Sequence, residues 1–254
     1  MRIEMHPNRQ FPPPRAPPLM HMRWKSLLFM HWRLDPEQLR PHVPSSLTLE
    51  TFDGSAWLGI VPFLMTETYG MPEAPIKGAL SKAMGAYQFP ELNVRTYVSV
   101  GGKPGVFFFS LDAASRSAVR LARTGFRLAY FDARMELLDE SNAVHFKSER
   151  TDPRGAPASF HARYRPIGEV KPPEPGTLES FLTDRYALYT TVLDRPLRAH
   201  IHHAPWPLQR AEVDVAALSM TPFLPRVTLS AKDALCHYAA DQEVVAWPVV
   251  PAMG

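Results

Sequence analysis

Twenty-seven prolines, against thirteen glycines, are scattered through the 254 residues of this chain. A proline ring fixes φ and removes the backbone N–H, so it interrupts helix interiors and sits in sheets only at edges, strand starts and bulges. A chain punctuated this often is predicted to fold as many short extended segments joined by turns, not as a bundle of long helices. Material for a core is present, since 45% of residues are hydrophobic and 11% aromatic. That is far from the make-up of a disordered chain, and the length suits one large β domain or two small ones.

Residues 1–22 read as a proline-rich tail, because Pro12, Pro13, Pro14, Pro17 and Pro18 favour extended, unpacked chain. The rest, 23–254, is expected to form a single domain. Strands are predicted over 26–34, 91–100, 106–111, 129–138, 143–150 and 159–165, and again over 186–193, 197–203 and 208–213. Weaker strand patterns occupy 226–230 and 244–249. Asp53-Gly54 and Gly101-Gly102 supply hairpin turns. Asp35-Pro36 starts a short helix, a second helix is expected from Ser115 to Arg123, and Thr177 caps a third. The stretch 71–89 reads as a long excursion of the kind that covers a pocket, and 168–176, with three prolines, as an internal linker. The expected fold class is α+β, mainly antiparallel β, with a curled or closed sheet.

Several function classes recede on composition. The net charge is +3, but Lys and Arg are scattered, so no nucleic-acid partner is expected. A lone cysteine, Cys236, cannot form an internal disulfide, which suits a reducing cytoplasm. The N-terminus lacks an apolar signal core, and no segment reaches the roughly 20 apolar residues of a membrane span. No membrane attachment is expected. The chain contains no G-x-S-x-G elbow, H-E-x-x-H, phosphate-binding loop or dinucleotide fingerprint.

The most informative stretch runs from Glu91 to Val98. On a strand, its period of two places Glu91, Asn93, Arg95 and Tyr97 on one face and Leu92, Val94, Thr96 and Val98 on the other. Such a polar face is either wetted at the surface or turned into an enclosed space, where each charge needs a cross-strand partner or a ligand. Periodicity does not separate the two. His31, in Phe29-Met30-His31-Trp32, is within reach of such a space or is an ordinary hydrogen-bonded histidine. Arg120, Arg123 and Arg127 are anion binders or a solvated helix face. His200 and His202 share a strand face, as metal ligands would, but no nearby carboxylate or cysteine completes a set. No metal is expected. Cys236 and the tryptophans Trp57 and Trp206 read as packing residues.

A resemblance adds to this. The pieces Leu28-Phe29-Met30-His31-Trp32, Asp53 to Phe63, Pro90 to Val98, Gly105 to Ala113 and His203-Ala204-Pro205-Trp206-Pro207-Leu208 occur in an order similar to that of the uncharacterised YqjF-like family. That family resembles acetoacetate decarboxylase in fold. The resemblance implies a curled, cone-like antiparallel β barrel around a central cavity, with Glu91 as a cavity carboxylate. It also exposes a departure. Acetoacetate decarboxylase uses a Schiff-base lysine whose pKa is lowered by an adjacent lysine, and this chain has no adjacent lysine pair. Leu128 and Ala129, in Gly125-Phe126-Arg127-Leu128-Ala129-Tyr130, take those places.

Two functions are therefore weighed. One is a lyase-like small-molecule enzyme, without a Schiff-base lysine, in which Glu91 is the catalytic acid or base. Asn93, Arg95, Tyr97, His31, Arg123 and Tyr130 would then contact a small polar or carboxylate-bearing ligand. The other is a non-catalytic binding protein using the same residues. Neither calls for a cofactor, and a homo-oligomer is left open. A pure interaction scaffold is a third possibility, which would need a large exposed apolar patch.

Overall fold

Turn chemistry sets the strand boundaries. Asp53 and Gly54 adopt φ of 47° and 72°, and Gly101 and Gly102 adopt 57° and 71°, the left-handed pairs that tight hairpins demand. The computed structural model describes residues 8–70, 88–125, 127–141 and 143–252. The strands are β1 (Met20–Leu34), β2 (Thr48–Leu49), β3 (Ala56–Gly70), β4 (Gln88–Val100), β5 (Lys103–Ala113), β6 (Tyr130–Glu140) and β7 (Ala143–Arg150). They continue as β8 (Ser159–Ile167), β9 (Ala187–Val192), β10 (Arg195–His202), β11 (Leu208–Leu218), β12 (Leu235–Ala246) and β13 (Val250–Pro251). Three α-helices interrupt them among the described residues: α1 (Pro36–Leu39), α2 (Arg116–Gly125) and α3 (Leu178–Thr183). Asp35 closes a full capping box on α1, and the Thr177 hydroxyl accepts from Ser180 N on α3. No helix among the described residues is long and apolar enough to cross a membrane.

The chain is mostly β, and the thirteen strands among the described residues join one sheet. Pairings are antiparallel except those of β5 with β6 and with β9. Following hydrogen-bonded neighbours from β5 through β6, β7, β8, β11, β12, β1, β3 and β4 returns to β5, because β4 and β5 also pair. A second path leaves β5 through β9 and β10 and reaches β12. The wall β12–β1–β3–β4 is therefore common to both circuits, and strands of that wall carry buried residues on both faces. On one face Leu28, Met30, Ile60, Leu92 and Val94 pack with Phe146, Phe160 and Tyr164. On the other, Phe29, Val61 and Phe63 pack with Trp206 and Ile201. Burying each such aliphatic or aromatic side chain contributes roughly 1.5–3 kcal/mol.

Three expectations change. The stretch read as an unpacked tail is tied down from residue 8: Asn8 Nδ2 donates to Pro173 O at 2.8 Å and Asp184 Oδ2 at 2.7 Å, and Phe11 is buried. Extended proline-rich chain docks as readily as it floats when its flanking side chains find buried partners, and β1 accordingly begins at Met20, inside the segment 1–22. The linker 168–176 is held by the same contact at Pro173 and by Lys171 N to Leu208 O at 2.7 Å. Residues 226–230 form no strand, and of the weak pattern at 244–249 only 244–246 are strand, as the end of the twelve-residue β12. The excursion 71–89 lies outside the described residues, except Gln88 and Phe89, which open β4.

Candidate functional site

One row across three strands organises the site. His31 of β1 faces Gly59 of β3, which faces Arg95 of β4. A Cβ on Gly59 would meet His31 Cδ2 at 3.1 Å and Arg95 Cγ at 3.2 Å, so the glycine is what lets these two side chains lean together over the sheet. Tyr97, two residues further along β4, places its hydroxyl 2.7 Å from His31 Nε2. The same hydroxyl is 2.9 Å from the carbonyl of Leu182, on α3, which also accepts from Arg95 Nη2 at 3.0 Å. His31 is buried, and its pKa is pushed well below the usual 6.5, first by burial and then by the positive charge of Arg95 and by His237. It is a neutral imidazole at neutral pH. Its Nδ1 has no hydrogen-bond partner. Because the Tyr97 hydroxyl gives its single proton to the Leu182 carbonyl, Nε2 donates to Tyr97, and Nδ1 is a lone pair with no donor.

Arg95 is only 8% exposed. Its guanidinium lies 5.2 Å from the ring centre of Phe29 and 5.8 Å from that of Tyr97, and its Nε makes no hydrogen bond. Among the described residues no carboxylate pairs with it. Arg185, equally buried and stacked 5.1 Å from the Tyr97 ring, makes an ion pair with Glu50 at 2.6 Å. Asn93, between Arg95 and Glu91 on the same face, is buried with its Oδ1 unpartnered.

Glu91 sits at the other end, about 13 Å from Arg95 along the strand. It is buried and accepts a hydrogen bond from the Tyr130 hydroxyl at 3.0 Å. Burial pushes its carboxyl up to about 8; the Tyr130 bond pulls it down in part, and the charge of Asp112 pushes it further up. Tyr130 is itself raised well above 10, by burial and by Glu91. Asp112 is held by Arg150, with Nη2 to Oδ1 at 2.7 Å and Nε to Oδ2 at 3.0 Å, and the Arg150 guanidinium lies 4.3 Å from the ring centre of Phe131. One end of the face thus holds a cation without a carboxylate partner among the described residues, and the other a carboxyl that keeps its proton at neutral pH.

The structure brings six of the seven residues singled out from sequence onto or against this buried face: Glu91, Asn93, Arg95, Tyr97, His31 and Tyr130. Arg123 is elsewhere, on α2, 3.9 Å from Asp152. Sequence reasoning passed over His237, which is buried in register with Phe29 and has an unpartnered Nδ1. It also passed over Asp112, Arg150, Arg185 and the Leu182 carbonyl. Only Asp112 carried a signal, as a lone acid in the apolar run Val106 to Ala113. Trp206 packs its ring edge-on to Phe29 at 5.0 Å and donates to Thr183 O at 2.9 Å. Cys236 is half-buried and its thiol is pushed up to about 11 by burial. Among the described residues no three His, Cys, Asp or Glu side chains converge in a way that would hold a metal ion.

The architecture is one shared with enzymes of the acetoacetate decarboxylase type. The chain aligns with acetoacetate decarboxylase from Legionella pneumophila at a TM-score of 0.57, with 13% identity over 95% of this chain and 92% of that one. It aligns with the enduracididine biosynthesis enzyme MppR, solved in complex with pyruvate, at a TM-score of 0.62, with 12% identity over 94% and 91%. At such identities the likeness is one of fold. By sequence, residues 21–243 match the DUF2071 family, described as an uncharacterized conserved protein, and the chain belongs to that family. The uncharacterized protein YqjF of Bacillus subtilis (strain 168) is 42% identical over 233 residues, which is 91% of each chain.

Proposed function

We propose that the sheet forms a cone-like barrel around this face and that the space over it binds a small carboxylate-bearing molecule. Glu91 then acts as acid or base at the ligand's other end. The observation that carries the reading is Arg95: a buried guanidinium with a free Nε and no carboxylate partner among the described residues. Burying an uncompensated cation is unfavourable by several kcal/mol, and an anionic ligand removes that penalty. A carboxylate on Arg95 would leave the rest of a short molecule lying over Asn93, with Glu91 near its far end. A protonated Glu91, close to its pKa at physiological pH, suits proton transfer to a carbonyl or enolate. The fold relative solved with pyruvate supports 2-oxo acids as the first ligands to try.

Pyruvate and longer 2-oxo acids should raise the melting temperature and give saturable heats in calorimetry, whereas their methyl esters should not. Arg95→Met should lose that binding at least tenfold. Ester and acid binding alike, or acid binding unchanged in Arg95→Met, would remove the reading. A non-catalytic binder remains the second reading, favoured by Leu128 and Ala129 at the places of the lysine pair. Following the bound acid by NMR separates the two: conversion that stops in Glu91→Gln supports the enzyme, and an unaltered ligand in the wild type supports the binder.

A further inference from the structure

The motif His200-x-His202 finds its explanation on the far side of the second circuit. Alternation on β10 puts Arg198, His200 and His202 on one face, while Ala199 and Ile201 are buried on the other. Arg198 is 8% exposed, and both its Nε and its Nη1 are buried without a hydrogen-bond partner. It lies opposite Tyr189 of β9, whose hydroxyl donates to the carbonyl of Lys103 at 2.8 Å. The docked N-terminal segment adds Arg9. Its Nη1 donates to Ile201 O at 2.9 Å and lies 3.1 Å from His202 Nδ1, while its Nη2 is buried and unpartnered. His200 stands among these groups, edge-on to Phe11 with ring centres 5.6 Å apart, and its Nδ1 is unpartnered.

Burial first, and then the charges of Arg198, Arg9 and Lys103, hold the pKa of His200 down to about 4. The surroundings therefore repel a metal cation, whatever the spacing of the histidines suggests. Nearby acids are already engaged: Glu50 pairs with Arg185 at 2.6 Å, and Asp184 accepts from Asn8 and from Ser180. Among the described residues no carboxylate pairs with Arg198, Arg9 or Lys103.

We propose that Arg198, Arg9, Lys103 and His200 form an anion site for a phosphate group, separate from the face that holds Arg95. Three cations match a dianion better than a monocarboxylate. Arg198 Nε and Nη1 and Arg9 Nη2 are donors lacking acceptors, which phosphate oxygens supply. A phosphate also satisfies His200 in either tautomer, because it both accepts and donates at neutral pH.

The probe is inorganic phosphate added to the full chain and compared with chloride at equal ionic strength, alongside glycerol phosphate to tell free phosphate from a phosphoryl-bearing metabolite. Phosphate or the ester should raise the melting temperature saturably, with affinity reduced tenfold or more in Arg198→Met. The His200 ring nitrogens should shift along the same saturation curve in wild-type protein, a readout that does not depend on the variant folding. Tighter binding of the ester than of phosphate would assign the site to a metabolite, and the reverse order to the free ion. A response to phosphate no larger than to chloride, or a His200 signal that stays still while phosphate binds, would overturn the proposal. Arg95→Met should leave phosphate binding unchanged, so this site and the carboxylate site can fail independently.

Discussion

Replacing Glu91 by Gln removes one titrating proton while leaving an oxygen for the Tyr130 hydroxyl to donate to. In the folded protein the Glu91 carboxyl holds its proton up to about pH 8, whereas its ordinary value is 4.5. Its folded pKa is therefore the higher one. The stabilising share is complete below pH 4.5 and declines as pH rises, until it is gone above about 8. Through that window the unfolded chain has released the proton and the folded one has not, so the wild type loses roughly 1.4 kcal/mol of stability per pH unit from this group. Across the whole interval the loss is about 5 kcal/mol, an upper bound because a charged Glu91 would draw in water or shift Tyr130. Glu91→Gln has no such slope. Urea unfolding of both proteins at half-unit steps from pH 4.5 to 8.5 gives the difference directly. Other titrating groups, including His31, whose depressed pKa acts in the opposite direction, are common to both proteins and cancel. The variant should become the more stable protein by a margin that grows with pH and levels off above 8. Parallel stability curves would mean that Glu91 ionises as a solvated carboxylate, and the buried-acid argument would be lost.

Three further outcomes follow from the same geometry. Asp112→Ala leaves the Arg150 guanidinium buried without its carboxylate and should lower stability by about 3–5 kcal/mol; in any folded fraction it should also bring the Glu91 pKa down, measurable by carboxyl NMR. Gly105→Ala sets a Cβ 2.5 Å from the Ala187 carbonyl, a backbone atom that cannot swing aside, so melting should fall by roughly 6–12 °C, in line with about 3 kcal/mol; an unchanged melting point would refute the close approach of β5 and β9. Cys236, with its thiol raised to about 11, should react with iodoacetamide at pH 8 at least a hundredfold more slowly than free cysteine, and rapid labelling of native protein would contradict its burial.

Much of the strand plan was legible because turn residues carry their own geometry: Asp53-Gly54 and Gly101-Gly102 adopt the conformations their composition demands. The turn Leu193-Asp194 has φ of 51° and 57° without a glycine, so the strand break there was legible from Asp194 and Pro196 but its left-handed geometry was not. The two faces of β4 were legible as alternation, but their surroundings were not. The polar side meets a Leu182 carbonyl 85 residues away from Tyr97, and the ion pair behind Glu91 joins Asp112 to Arg150 across 38 residues. Such contacts are set by how the sheet closes, which no period of two encodes. The docking of Asn8 and Arg9 was hidden for the same reason, since the partners that hold them to the sheet, Pro173, Asp184, Ile201 and His202, lie beyond residue 170. The family resemblance supplied the fold but not the reason that β10 gathers positive charge.

Because β4 is enclosed on both sides, it has only one tolerable pairing with its neighbours. A slip by a single residue would drive Glu91 and Arg95 among Phe146, Phe160 and the aliphatic side chains packed there, while Leu92 and Val94 would come to lie against His31. The alternation that prepares a buried polar face thus also proofreads assembly: a misaligned strand is rejected by electrostatics on one side and by lost apolar contact on the other.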